Sequence, residues 1–201
     1  MKILYKNDSD MVKQLIKQDS YLEALFQTPN EIEIELQDKY FVALVSTILF
    51  QQLSGNVAQI IYNRLKSFCQ NDITKTKILE ASNEELRELG LSFRKIEYIK
   101  SLATNVNTKA VNLDIIDSLS DEEVIDMLVL VKGIGRWTAE MFLIFSLGRK
   151  NIFSSLDLGL RNGVKKLYRQ ELTLEEIEKI SQKWNPYKTI VSLFLWRFQQ
   201  K

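Results

Sequence analysis

Apolar side chains recur at every third or fourth position along most of this chain, the spacing of helices that bury one face. The pattern predicts helices over roughly 9–18, 39–51, 56–68, 93–105, 121–130, 136–148, 158–168, 174–183 and 187–198. Start signals sharpen three places. Ser82-Asn83-Glu84-Glu85, Ser120-Asp121-Glu122-Glu123 and Thr173-Leu174-Glu175-Glu176 each set a hydroxyl three residues ahead of a glutamate, the reciprocal cap that opens a helix. Gly90 is placed to end the short helix that Ser82 opens. Ile32-Glu33-Ile34-Glu35-Leu36 alternates like a strand but stands alone, so it is at most an edge piece. Only two prolines and seven glycines interrupt the chain, and it carries no repeat, low-complexity tract or Gly/Pro/Ser-rich linker. The expectation is an all-α protein of about nine or ten helices.

The 201 residues suffice for one generous domain or two small lobes sharing a core. The longest apolar run, Phe41 to Phe50, is broken by Ser46 and Thr47 and is far shorter than a membrane helix needs. The N-terminal residues lack the basic start and apolar stretch of a signal peptide, and one cysteine, Cys69, rules out an internal disulfide. A cytoplasmic protein is expected, nucleoid-associated if bacterial. The absence of histidine excludes Ser-His-Asp and Cys-His catalysis and every histidine-ligated metal. A single cysteine excludes a four-thiolate iron–sulfur cluster. Chemistry is left to carboxylates, aromatics, lysines and backbone dipoles.

Net charge is only +1, yet residues 132–169 hold eight basic residues against two acids, Glu140 and Asp157. Such a segment can build a phosphate-facing surface on a nearly neutral protein, although solvated helix faces would give the same excess.

Within it lies Leu128-Val129-Leu130-Val131-Lys132-Gly133-Ile134-Gly135-Arg136-Trp137-Thr138-Ala139. Two glycines one residue apart, between apolar helices, permit a tight hairpin with positive φ and close approach of a partner to the backbone. Ile134 would plug into the core. Gly135 opens the second helix, so its unpaired N–H groups and positive dipole end form a natural anion site. A plain αα-hairpin would use the same glycines for its turn alone. Asp157 stands directly before an apolar helical run, where it is either a simple N-cap or a catalytic carboxylate in a mostly apolar neighbourhood. Trp137 and Trp196 are core fillers or the faces that sandwich an extruded base.

Taken in order, these elements resemble the helix-hairpin-helix DNA glycosylase superfamily, in its 3-methyladenine DNA glycosylase II branch. Phe41 to Ser54, with Gln51-Gln52-Leu53-Ser54, looks like the branch's first core helix and following turn. Leu89-Gly90-Leu91-Ser92, Lys95, Tyr98-Ile99, Gly133 to Glu140, Trp184 to Tyr187 and Leu195-Trp196-Arg197 are similar to its later segments, so the likeness spans about residues 15–200.

The resemblance implies one glycosylase domain over 1–201, with two helical lobes around a DNA-binding cleft. Lobe A would be about 1–45 plus 152–201, and lobe B about 46–151. It implies that Asp157 is the essential aspartate and that Trp137, Trp196, Met141 and Phe50 line the base pocket. Gln52 or Leu53 would enter the duplex as a wedge. Lys132, Gly133, Gly135 and Arg136 would hold phosphate. The backbone carbonyls of Val129, Val131 and Ile134 would hold Na+ or K+, with no cofactor needed for catalysis. Trp137 stands where strand-cleaving relatives carry a nucleophilic lysine, and tryptophan cannot form a Schiff base. The implied activity is monofunctional release of alkylated purines from double-stranded DNA, leaving an abasic site, by a monomer without membrane contact. A relative acting on deaminated or oxidised bases, or a non-catalytic lesion-binding protein, remains the alternative. Three departures stand out: Ser154-Ser155-Leu156 before the aspartate, Met141 in place of a pocket tyrosine, and too few residues before Phe41 for the β-domain of longer members.

Overall fold

A computed structural model describes residues 1–27 and 31–199. Among them are twelve α-helices: α1 (Asp10–Gln18), α2 (Leu22–Phe26), α3 (Tyr40–Phe50), α4 (Gly55–Phe68), α5 (Lys75–Glu80), α6 (Asn83–Glu88), α7 (Phe93–Asn107), α8 (Asp121–Leu128), α9 (Arg136–Phe145), α10 (Leu158–Tyr168), α11 (Leu174–Gln182) and α12 (Lys188–Gln199). The three reciprocal caps form as expected at Ser82/Glu85, Ser120/Glu123 and Thr173/Glu176. Their glutamates Glu85, Glu123 and Glu176 are held below the usual carboxylate range by the N-cap residue's backbone N–H and hydroxyl.

Two short helices exceed the expected number. α2 and α5 span five and six residues, too few turns for a 3.6-residue period to register. The strand expected to stand alone has a partner. β1 (Lys2–Tyr5) pairs antiparallel with β2 (Ile32–Glu35), setting Ile3 opposite Ile34 and Tyr5 opposite Ile32. β1 reads Lys-Ile-Leu-Tyr, without alternation, and its partner lies beyond α1 and α2, so nothing local announces the pair. The protein is therefore helical with one small two-stranded sheet among its described residues.

The chain divides into two compact units, Met1–Leu36 with Leu143–Lys201, and Gln37–Phe142. Each boundary falls nine residues before the expected one, at 36 rather than 45 and at 142 rather than 151. The first shift has a simple cause. A break at 45 would cut α3, whose Ala43, Leu44, Val45, Ile48 and Leu49 are all buried and which packs as one piece on α4 and α7.

In the first unit α12 is the central rod. Thr189 to Leu195 are all buried, and the helix packs on α10 and α2. Below it, the buried Asp19 carboxylate accepts hydrogen bonds from Trp184 Nε1 at 2.9 Å and from the Tyr168 hydroxyl. Burial, first, and the Asp19 carboxylate push the Tyr168 hydroxyl far above its usual range. In the second unit α7 plays the central part, with α3, α5 and α6 against it. Among the described residues no helix is long and apolar enough to cross a membrane.

Candidate functional site

The first unit fixes Asp157 through the segment that leads to it. Residues 149–156 are irregular chain, and α12 supplies the partners their backbone lacks. Thr189 Oγ1 donates to the Arg149 carbonyl at 2.6 Å and accepts the Ile152 N–H at 3.0 Å, while Ser192 Oγ donates to the Ile152 carbonyl at 3.0 Å. Asn151 Nδ2 donates to Asn185 Oδ1 at 2.8 Å. These contacts explain two buried hydroxyls on an otherwise apolar helix face.

Asp157 is the N-cap of α10. Its Oδ1 accepts the Leu160 N–H at 2.8 Å and Trp196 Nε1–H at 3.0 Å. The carboxylate is thus half-buried, next to a helix N-terminus, and flanked by the exposed side chains of Leu156 and Leu158. The near-parallel ring of Phe145 lies 6.1 Å from that of Trp196, centroid to centroid.

The second unit carries the hairpin and an apolar pocket. α8 ends at Leu128, a turn follows, and Arg136 opens α9. Gly133 has φ +85°, and a Cβ there would sit 2.2 Å from a ring carbon of Tyr98, so the position needs glycine on both counts. Gly135 is different: nothing lies within 4 Å of where its Cβ would be. Ile134 is buried, as expected for the plug. One helix, α7, seats the turn. Ser101 Oγ accepts the Lys132 N–H at 3.2 Å, Glu97 pairs with Lys132 Nζ at 2.6 Å, and Tyr98 fills the space against Gly133. Gln51 Nε2 adds a bond to the Gly133 carbonyl at 2.9 Å.

Phe50 and Trp137 line an open pocket of about 320 Å³ together with Ser46, Thr47 and Gln51. Trp137 is 40% exposed, unusual for a residue whose bulk normally goes inside. Met141, one turn further along α9, is half-buried and is not among the described residues that line this pocket. Ser46 and Thr47 were not singled out from the sequence. Their spacing from Phe50 and Gln51, four residues each, was the available signal.

After Phe50 the chain turns sharply. Gln52 has φ 55°, and both Gln52 and Leu53 are exposed. Lys95 Nζ holds this turn by donating to the carbonyls of Leu49 and Gln51. Burial holds the Lys95 ammonium below its usual range.

The two expected phosphate-binding cations are both engaged by acids. Lys132 pairs with Glu97, and Arg136 forms two bonds to Glu122, at 2.7 and 3.0 Å, and a third to the buried Glu140 at 3.1 Å. The bond from Arg136 holds Glu122 below the usual carboxylate range. The turn's carbonyls are in part engaged too, since Val131 accepts the Ile134 N–H at 3.0 Å.

A helical protein with a Gly-x-Gly hairpin, an aromatic-lined pocket and an aspartate at a helix N-terminus has a recognisable family signature. The family of HhH-GPD superfamily base excision DNA repair proteins matches residues 45–186, and the chain belongs to it. The chain is 36% identical over 159 residues to DNA-3-methyladenine glycosylase 1 of Schizosaccharomyces pombe, covering 77% of this chain and 70% of that protein. It is 34% identical to DNA-3-methyladenine glycosylase of Saccharomyces cerevisiae, covering 85% of this chain and 69% of that protein. The crystal structure of a Bacillus halodurans DNA-3-methyladenine glycosidase superposes with a TM-score of 0.91 at 34% identity, over 98% of this chain and 92% of that one. A 3-methyladenine DNA glycosylase of Schizosaccharomyces pombe in complex with abasic DNA gives 0.71 at 32% identity, over 94% and 91%.

Proposed function

We propose that this protein is a DNA glycosylase that hydrolyses the N-glycosidic bond of alkylated purines of the 3-methyladenine type in double-stranded DNA. The observation that carries the reading is Asp157, a carboxylate anchored by two N–H donors at the start of α10. Breaking an N-glycosidic bond builds positive charge on the sugar, and a carboxylate already held in place stabilises that charge without reorganising. An alkylated purine is itself cationic, so electron-rich tryptophan faces such as Trp137 and Trp196 attract it by about 0.5–2 kcal/mol. Ser46, Thr47, Phe50 and Gln51 shape the pocket beside Trp137. Gln52 and Leu53, exposed on a turn held by Lys95, suit the wedge that fills the gap left by a flipped nucleotide.

The hairpin grips phosphate through the N–H groups around Gly133 and Gly135, aided by Lys132 and Arg136. The carbonyls of Val129, Val131 and Ile134 fit a Na+ or K+ ion, because a carbonyl oxygen already accepting one N–H, as Val131 does, keeps a second lone pair. Such an ion supplies positive charge toward phosphate and no chemistry at the sugar. With one cysteine, an iron–sulfur cluster has no ligand set. Trp137 occupies the place of a nucleophilic lysine, so the enzyme leaves an abasic site and an intact strand. It works as a monomer in the cytoplasm, associated with the nucleoid if the host is bacterial.

The test is incubation with duplex DNA carrying 3-methyladenine or 7-methylguanine. Released base and abasic sites revealed by alkali are expected, without strand breaks before alkali. No base release from either substrate overturns the reading. A covalent adduct trapped by borohydride overturns its monofunctional part.

A further inference from the structure

We infer that Trp196 acts through its indole N–H as a positioning residue for Asp157, beyond serving as a flat wall for a base. This rests on the reading of Asp157 as the catalytic carboxylate.

An aspartate that only caps a helix needs the bond from the N3 backbone, and Asp157 has it from Leu160 at 2.8 Å. The bond from Trp196 Nε1 at 3.0 Å is additional, and it comes from a different helix, 39 residues away in sequence. Both land on the same oxygen, Oδ1. Two donors arriving from different elements fix the rotation of the carboxylate as well as its place. A cap alone leaves that rotation looser. Both donors are neutral, so neither sets an opposing charge against the carboxylate.

The surroundings show that this contact, more than ring packing, sets the indole. The buried run of α12 ends at Leu195, and Trp196 is the first side chain beyond it that is only half-buried. Its described ring neighbour, Phe145, is 6.1 Å away, at the loose end of aromatic pairing. The start of α10 also leaves room for the indole. At Gly159 a Cβ would lie 3.3 Å from Trp196 Cδ1, 3.0 Å from Asp157 Oδ1 and 2.6 Å from Gln199 Nε2. Any larger residue there would press on the ring atom bonded to the donating nitrogen. An indole N–H donates and never accepts, so the bond also fixes which edge of the ring faces the acid. A base-stacking wall needs none of this, since a phenyl ring stacks as well.

The experiment separates the N–H from the ring. Trp196→Phe shortens the side chain but stays aromatic. Trp196→3-benzothienylalanine keeps the bicyclic shape and replaces only the N–H by sulfur, which covers the case in which the phenylalanine variant folds poorly. Single-turnover excision of 7-methylguanine by either variant is expected to fall about ten- to a hundredfold. The Kd for the same duplex should change by less than about twofold, the mark of an interaction that matters in the chemical step. In an Asp157→Ala background the benzothienyl replacement should cost nothing further, because its effect runs through the carboxylate. Wild-type excision by the benzothienyl variant, or an undiminished loss in the Asp157→Ala background, overturns the inference and leaves the functional reading standing. A wild-type protein that releases no base overturns both.

Discussion

Asp157 and Arg136 are both charged residues at the start of a helix, and the structure holds them in opposite ways. Asp157 stands where the helix dipole welcomes a negative charge, and its two described donors are a backbone N–H and an indole. Those two bonds orient its charge. Arg136 stands at the first position of α9, where the dipole disfavours a cation, and its guanidinium is tied to Glu122 and Glu140. Its charge is largely answered by its neighbours. The difference follows from the work proposed for each. A group that stabilises a transition state gains from being fixed beforehand. A group that meets a DNA backbone of variable sequence gains from partners it can exchange, since phosphate affinity comes from releasing ions rather than from fixed geometry.

The strongest way to break the comparison is Asp157→Asn. The amide keeps an oxygen that can accept both N–H bonds, so folding and DNA binding should survive. Excision should fall by two or more orders of magnitude, about the effect of removing one strong electrostatic stabiliser. Single-turnover assays on 7-methylguanine DNA check it. Near-normal excision by the folded variant would reduce Asp157 to a helix cap.

On the hairpin side the largest effect should come from Gly133→Ala. The new methyl meets both a positive φ and the Tyr98 ring at 2.2 Å, and thermal unfolding should report a loss of about 2–4 kcal/mol. Pairing it with Tyr98→Ala removes the collision but not the backbone strain, so part of the loss should remain. Gly135 makes the contrast within the same turn. Because its surroundings are open, Gly135→Asp should fold normally and weaken binding about three- to tenfold, equally for all DNA sequences. A loss confined to some sequences would contradict phosphate binding there.

What could be read in the sequence were the features whose cause is local. A Gly-x-Gly between apolar runs, a hydroxyl three residues before a glutamate, and an aspartate before an apolar helix all declare themselves within a few residues. The unreadable features join distant residues. Nothing near Lys2–Tyr5 names Ile32–Glu35 as its partner. The basic excess over residues 132–169 suggested exposed cations, yet Glu97 and Glu122, 35 and 14 residues away, take up Lys132 and Arg136. Trp196 was legible as a large aromatic, and by resemblance as a pocket wall. The direction of its N–H is set by the crossing of α10 and α12, which no periodicity encodes. Ser46 and Thr47 lie between these extremes, on the same face of α3 as Phe50 and Gln51 but too small to stand out.

The smallest effect is also the most diagnostic of exchangeable pairing. Glu122→Gln removes the partner that makes two bonds to Arg136, while Glu140 stays in place to hold the stem of the guanidinium. Lowering the pH is a poor substitute. The hydrogen bond from Arg136 keeps the Glu122 carboxyl below its ordinary range, so the pair persists as pH falls and is lost only in acid that unsettles other carboxylates. Side-chain exposures of 47% for Arg136 and 66% for Glu122 mark the pair as solvent-screened, worth about 0.2–1 kcal/mol. Folding stability should therefore fall only slightly. Affinity for undamaged duplex should rise about two- to fivefold at low salt, because Arg136 no longer exchanges a carboxylate for a phosphate and one repelling charge is gone. The gain should shrink as salt is raised, which a titration of Kd against ionic strength reads directly. If Glu122→Gln binds no tighter and Arg136→Ala no more weakly, Arg136 serves the fold alone. The hairpin's grip would then reside in its backbone N–H groups.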